Sequence, residues 1–329
     1  MDNPFPKLEV RGTHNDLGHA IGKTFAPQIH AFVDRLHKTL PEYAVIRHNT
    51  QPYLALTKTR FPLIVEEMEA IAKGAGLEFL DIFFANCPEL HPYATSPDHC
   101  TGIVTKYRES GEFLVGHNED NPPGASDYLY ILDAVVNGVH IVGLSYMPEL
   151  PGSSAAMNSF GLYQGINTLH PETRVGIPKN VIARAVLSSK TIDEAEKVIR
   201  NSKSASGFNH VLVSKDGYLD IAAALDDFEV DRGTKTPYVH TNHYLTEKLQ
   251  ENETYRTNNS VERYQQARAT AAEKMTKKEL MDALSSCDAS KFTQSAWHDT
   301  TLAAVIACPA RKTTEITNRE TGVTKEYSI

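Results

Sequence analysis

No run in this 329-residue chain reaches the roughly 18 consecutive apolar residues that a membrane-spanning helix needs, so a membrane partner is not expected. Cysteine is sparse. Cys87, Cys100, Cys287 and Cys308 are irregularly spaced, which fits neither a disulfide framework nor a zinc knuckle and leaves room for one reactive thiol. Basic residues are outnumbered, 33 against 41 acidic, and a net charge of -8 works against unassisted attraction to nucleic acid or anionic membrane. A small-molecule partner is expected instead, with no cofactor and no metal. Residues Met1 to Pro6 lack the basic start and apolar run of a secretory signal, so the expected location is cytoplasmic. Repeats and low-complexity linkers are also missing. With 41% hydrophobic and 22% charged residues, the chain reads as a single integrated domain over 1–329.

What is present divides by period. Up to about residue 90 the pattern is mainly helical after a short strand at 8–11. Thr13 or Asn15 caps a helix carrying Leu17, Ile21, Phe25, Ile29, Phe32, Val33 and Leu36 on one face. A second helix fits 61–75, closed by Gly74 to Gly76, and a shorter one fits 80–86. From Cys100 the period falls to two, with strands expected at 100–107, 112–118, 128–136 and 139–146, read as consecutive antiparallel hairpins. Strands at 153–158 and 161–167 precede amphipathic helices at 179–188 and 192–201. Lys215-Asp216-Gly217 then turns a hairpin of 209–214 with 218–224. Residues 246–290 are polar and helical, and late strands fit 301–307, 315–318 and 326–328. This order implies an α+β layered sandwich with antiparallel sheets.

Cys100 opens the first of those strands, after the polar connection Pro97-Asp98-His99. If the His99-Cys100 bond is broken, one residue carries both a thiol and an α-amine. The amine's reference pKa of about 7.7 to 8.0 lets it take the thiol proton near neutral pH, where a lysine at about 10.4 would not. The plainer reading is a buried structural cysteine.

Five runs occur in order: Asp98-His99-Cys100-Thr101, Gly116-His117-Asn118-Glu119-Asp120, Met157-Asn158-Ser159-Phe160-Gly161-Leu162, His240-Thr241-Asn242-His243 and Ser260-Val261-Glu262-Arg263. Together they resemble the acyl-coenzyme A:6-aminopenicillanic acid acyltransferase family (isopenicillin N acyltransferase-like) of N-terminal nucleophile hydrolases. The resemblance implies an αββα four-layer sandwich. It also implies a precursor that cuts itself between His99 and Cys100, giving an α chain of 1–99 and a β chain of 100–329 that stay associated. Cys100 is then the nucleophile and Asp120 a catalytic aspartate. Asn242 would donate its side-chain amide to the oxyanion. The family usually has aromatic residues flanking the aspartate, where this chain has Glu119 and Asn121. These two, with Arg263, are candidate substrate-binding residues for a polar or zwitterionic substrate. A small residue often precedes the family's nucleophile, and His99 departs from that.

Other readings stand beside these. Asp120 also fits a polar turn, and Asn242 a loop asparagine bonding its own backbone. His240-x-x-His243 is a poor metal pair, since positions i and i+3 of a strand face opposite sides. His117 and His210 read as ordinary strand histidines, Asn209 as structural, and Asn158 with Gly161-Leu162 as a turn near the site's mouth. Ser260 and Arg263 share one helix face. Trp297-His298-Asp299 fits a surface cluster as well as a pocket wall. The leading function is an autoprocessing cysteine amidohydrolase acting on a small N-acyl amide through an acyl-thioester. Acyl transfer from an amide or thioester to an amine uses the same intermediate. An uncleaved cysteine hydrolase with a histidine base, drawn from His99, His117 or His243, and a non-catalytic metabolite-binding relative complete the set.

Overall fold

The computed structural model describes residues 3–91, 100–122, 124–286 and 300–329. Strand β1 (Lys7–Gly12) leads into helix α1 (His14–Thr24), which starts because the Thr13 hydroxyl accepts from Asp16 N while the Asp16 carboxylate accepts from Thr13 N. The apolar stripe from Leu17 to Leu36 is not one helix. The chain breaks at Phe25 (φ -110, ψ 20) and resumes as α2 (Ala26–Thr39), with Pro27 in its first turn. Inside a continuous helix that proline would remove a hydrogen bond and strike the carbonyl four residues back; in a first turn it is harmless.

Helices α3 (Tyr43–His48) and α4 (Gln51–Arg60) follow, then α5 (Pro62–Ala75) and α6 (Phe79–Ala85). The first two are not signalled in the sequence, because α4 buries only Tyr53, Leu54 and Thr57 and α3 only Tyr43. Helices α1 and α5 cross in backbone contact. A Cβ at Gly18 would lie 2.0 Å from the Glu67 carbonyl oxygen, and one at Gly22 2.1 Å from that of Ile71.

Hairpins do form after Cys100, but the first two, at 101–120 and 129–146, go to different sheets. Among the described residues the first sheet runs β1, β4 (Leu129–Val136), β5 (Val139–Tyr146), β6 (Ala155–Asn158), β7 (Tyr163–Thr168), β8 (Phe208–Val213), β9 (Tyr218–Ala224), β10 (Asp227–Gly233). The second runs β11 (Tyr238–His240), β2 (Thr101–Tyr107), β3 (Phe113–Asp120), β13 (Thr301–Cys308), β14 (Thr313–Asn318), β15 (Thr324–Ser328), with β12 (Lys274–Met275) beside β2. Pairing is antiparallel except for β1 with β4 and β12 with β2, which are parallel.

The alternation of side chains builds the layers. On β4, Leu129 and Ile131 point between the sheets while Tyr130, Leu132 and Ala134 meet α1, α5 and α7 (Lys179–Val186). On β3, Phe113 and Val115 point between the sheets while Leu114 meets α10 (Asn258–Thr270) and α11 (Lys277–Leu284). Helix α8 (Ile192–Arg200) joins the first helical layer, and the short α9 (Glu247–Gln250) packs beside β10. Helices, sheet, sheet, helices is the αββα order that the resemblance implies. β10 escapes a sequence reading because it is an edge strand whose side chains are exposed or half-buried.

Between the helices and the first sheet lies one buried ionic cluster. Glu67 of α5 is bonded by Arg184 of α7 (Nη2 to Oε2, 2.8 Å) and approached by His14 Nδ1 at 2.5 Å. Burial alone would raise the Glu67 carboxyl. Arg184 ahead of His14 brings it below its ordinary value instead.

Candidate active site

Cys100 stands just before β2 and is buried, with 4% of its surface exposed. Its backbone is held on both sides. The amide N–H donates to Asn242 Oδ1 at 2.7 Å, and the carbonyl oxygen accepts from Arg263 Nη1 at 2.8 Å. Arg263 also donates to Thr101 Oγ1 and, through Nη2, to Asn242 Oδ1, each at 2.8 Å. One helical turn earlier on α10, Ser260 Oγ accepts from Asn242 N at 2.8 Å and lies 2.8 Å from His243 Nδ1. The shared face of Ser260 and Arg263 thus grips the segment that carries Asn242. Burial pulls His243 down to about 3 and His240 to about 4, so both are neutral near pH 7.

Two donors converge on the Asn242 side-chain oxygen, which fixes the amide's orientation. Nδ2 donates to Thr168 O at 3.0 Å, and Thr168 lines the same cavity as Cys100. The amide oxygen faces Cys100 N, and the donor that the family resemblance implies toward the substrate is the amide nitrogen. Asp120 Oδ2 lies 4.0 Å from Arg263 Nη1, with both side chains fully buried. Burial lowers the Arg263 guanidinium, opposed by the charges of Asp120 and Cys100.

A cavity of ≈ 70 Å³ opens beside the thiol, lined by Pro88, Cys100, Glu119, Asp120, Asn121, Tyr146, Glu149, Ser153, Ile166, Thr168, Lys179, Asn180 and Phe208. Glu119 and Asn121 reach it, as expected from their places beside Asp120. Arg263 does not line it; its guanidinium is spent on the backbone behind the nucleophile. Asn158 also lies outside the lining, and its side chain bonds Leu187 O, Ser189 O and the backbone of its own turn. Asn209 bonds Asp220 and Asn167. His99, Cys287 and Trp297 to Asp299 fall outside the described residues.

On the inter-sheet side of Cys100 stand His117 and Glu119, two apart on β3 and so on one face. A thiol sulfur, an imidazole nitrogen and a carboxylate oxygen from these three lie within 4.8 Å of one another, all buried. Glu119 accepts from Tyr146 OH at 3.0 Å, from Ser154 Oγ, and meets His117 Nε2 at 3.2 Å. Such S, N and O donors are of the kind that hold zinc, though a metal there would consume the thiol. Among the described residues His240 and His243 gather no third donor.

The sequence did not single out Tyr146, Glu149, Ser153, Lys179 and Asn180, because they come from strand ends and a helix start far apart in the chain. His117 had a usable signal in the i, i+2 spacing to Glu119.

Residues 107–321 match the family described as acyl-coenzyme A:6-aminopenicillanic acid acyl-transferase. The β-alanyl-dopamine/carcinine hydrolase of Drosophila melanogaster is 31% identical over 225 residues, 60% of this chain and 57% of that protein, so the chain spans little more than half of that relative. The 40 kDa form of the acyl-coenzyme A:6-aminopenicillanic-acid-acyltransferase of Emericella nidulans is 26% identical over 249 residues, 72% of this chain and 69% of that one. Among solved structures, the Caenorhabditis elegans N-acylethanolamine-hydrolyzing acid amidase ortholog superposes with a TM-score of 0.51 at 15% identity, covering 70% of this chain and 100% of its own. Penicillin V acylase from Agrobacterium tumefaciens does so at 0.50 and 13%, covering 70% and 86%. At such identities the two structures speak to the fold.

Proposed function

Because the chain belongs to the acyl-coenzyme A:6-aminopenicillanic acid acyl-transferase family, we propose that it is an autoprocessing cysteine amidohydrolase acting on a small N-acyl amide, with Cys100 as nucleophile. The observation that carries this is the grip on Cys100: its N–H on Asn242 and its carbonyl on Arg263, beside a cavity that its side chain lines. A cysteine kept only for packing has no use for a buried guanidinium on its carbonyl.

In the precursor the thiol attacks the carbonyl of residue 99, the peptide bond passes to a thioester and so frees the α-amine, and water then cleaves the thioester to a carboxylate and the thiol. The chains 1–99 and 100–329 remain together. In the mature enzyme that amine, oriented by Asn242 Oδ1, takes the thiol proton. The thiolate attacks the substrate amide, the leaving amine departs with the proton, and water releases the acid. The Asn242 hydrogen not given to Thr168 serves the developing oxyanion, and Asp120 with Arg263 keeps the charge balance behind it.

Glu119, Asp120 and Glu149 against Lys179 favour a short acyl group that carries a cation, and the cavity's size limits its length. β-Alanyl-dopamine and carcinine are therefore the first amides to test. Transfer to an amine is a partition of the same thioester, read by the ratio of acid to new amide when a second amine is supplied.

Denaturing mass spectrometry of the wild-type chain and of Cys100→Ala tests the proposal. Two wild-type fragments parted before Cys100 and an intact variant are expected, with amide hydrolysis only in the first. A full-length wild-type mass would overturn self-processing, and cleaved protein inert toward amides would overturn the activity.

A further inference from the structure

Before cleavage, Cys100 N is an amide and cannot act as a base. It is moreover donating to Asn242 Oδ1. The guanidinium of Arg263 stays charged and accepts nothing. The first proton transfer of the life of this protein therefore needs a group other than the α-amine that it creates.

Strand geometry separates the candidates. Residues of β3 alternate, so Leu114, Gly116 and Asn118 face α11, with Gly116 against Leu280 and Leu284 and Asn118 donating to Leu284 O. Asp120 shares that parity and meets Arg263 of α10. His117 and Glu119 have the opposite parity and face the space between the sheets, where their ligand-type atoms and the Cys100 sulfur lie within 4.8 Å. Cys100 extends β2 past Thr101, which pairs with Asn118, and so comes opposite Glu119.

The fold makes room for the ring. Gly102 lies directly across from His117, and on the facing sheet a Cβ at Gly165 would stand 3.4 Å from His117 Nδ1. Glu119 is fixed by Tyr146 and Ser154, so its remaining interaction orients the imidazole through Nε2. A neutral imidazole held in this way keeps a lone pair on one of its two ring nitrogens, which can accept a proton.

We infer that His117, oriented by Glu119, takes the thiol proton of Cys100 while it is still an internal residue, and so drives the cleavage that makes the α-amine. The inference rests on the self-processing proposed above. The proton moves from sulfur to imidazole, and the sulfur bonds to the carbonyl carbon of residue 99. As the C–N bond breaks, the imidazolium returns its proton to the departing nitrogen, giving a thioester and a free amine. Water then cleaves the thioester to a carboxylate and the thiol. The approach of sulfur to nitrogen must tighten from the resting separation, as is common for catalytic hydrogen bonds before reaction. The titratable groups around the ring are Cys100, Glu119, and Tyr146 and Tyr163 from the facing sheet.

The test follows the precursor's half-life by denaturing mass spectrometry in freshly synthesised full-length chains. His117→Gln is expected to slow cleavage ~10² to 10⁴-fold, the usual span for a general base, and Glu119→Gln by less. Residual cleavage in His117→Gln should rise about tenfold per pH unit, as hydroxide replaces the lost base, while the wild type does not show that slope. A merely structural role predicts no such dependence. Melting of Cys100→Ala with and without His117→Gln reports whether the fold survives the change. Wild-type cleavage with an equally fast His117→Gln would overturn this inference and leave self-processing intact. A wild-type chain that never cleaves would sink both.

Discussion

At the scale of the residue, Asn242 offers a division that chemistry can probe. Its oxygen holds Cys100 N and Arg263, whereas Nδ2 holds Thr168 O. Asn242→Asp keeps the acceptor and loses the amide hydrogens. Self-cleavage should persist in that variant while kcat for amide hydrolysis falls by ~10² to 10³, the usual cost of an oxyanion donor. Equal loss of both rates would mean that the amide hydrogens serve both steps, and no loss of either that the oxygen side alone matters. That Cys100, Asp120 and Asn242 lie close together was legible because each sits in a run whose neighbours are distinctive. Arg263 was legible as a partner of the site but not in its direction. Sequence gives the face of a helix and not what lies opposite it, and here the opposite surface is the nucleophile's backbone.

At the scale of the element, α7 deserves its place in the site through the other end of the helix. Lys179 and Asn180 line the cavity, and Arg184, about one turn on, is bonded to Glu67 of α5. Removing one partner of a fully buried pair typically costs ~3 to 5 kcal/mol, and Glu67→Gln should lose that much in urea denaturation. Because the folded Glu67 carboxyl lies below its ordinary value, its contribution is present above the unfolded pKa and is lost as the pH falls through the folded one. The α1–α5 crossing is the second test. A methyl group at Gly22 would meet the Ile71 carbonyl, which is backbone and cannot swing aside, so Gly22→Ala should destabilise by ~1 to 3 kcal/mol. Sequence periodicity found α1, α2 and α5 by their apolar stripes. It could not find the break at Phe25, because the stripe itself continues across it.

At the scale of the whole molecule, the space between the sheets is not purely apolar. Burial pushes Asp220 of β9 up to about 8, against hydrogen bonds from Asn209 and Tyr238. Between about pH 4 and 8 the folded protein then holds a proton that the unfolded chain does not, and stability declines as pH rises. Relative to the wild type, Asp220→Asn should remove that decline, by up to about 1.4 kcal/mol per pH unit, in thermal melts taken across the window. The layered architecture was legible from helices, then hairpins, then helices again. The assignment of hairpins to sheets was not, because β2–β3 and β4–β5 carry the same alternation and nothing local says which sheet each joins.

The segment before Cys100 supplies β1, the parallel neighbour of β4, and the helices α1, α2, α4, α5 and α6 that cover the first sheet. A cut at Cys100 would therefore leave two polypeptides that share the core between the helices and the first sheet. Unfolding the precursor and the cut form would then obey different laws. The first would refold at a rate indifferent to dilution; the second would have to find its partner again, and below some concentration would not return at all. For such a protein, maturation is a ratchet: it is assembled once, as a single thread, and afterwards endures only by staying folded.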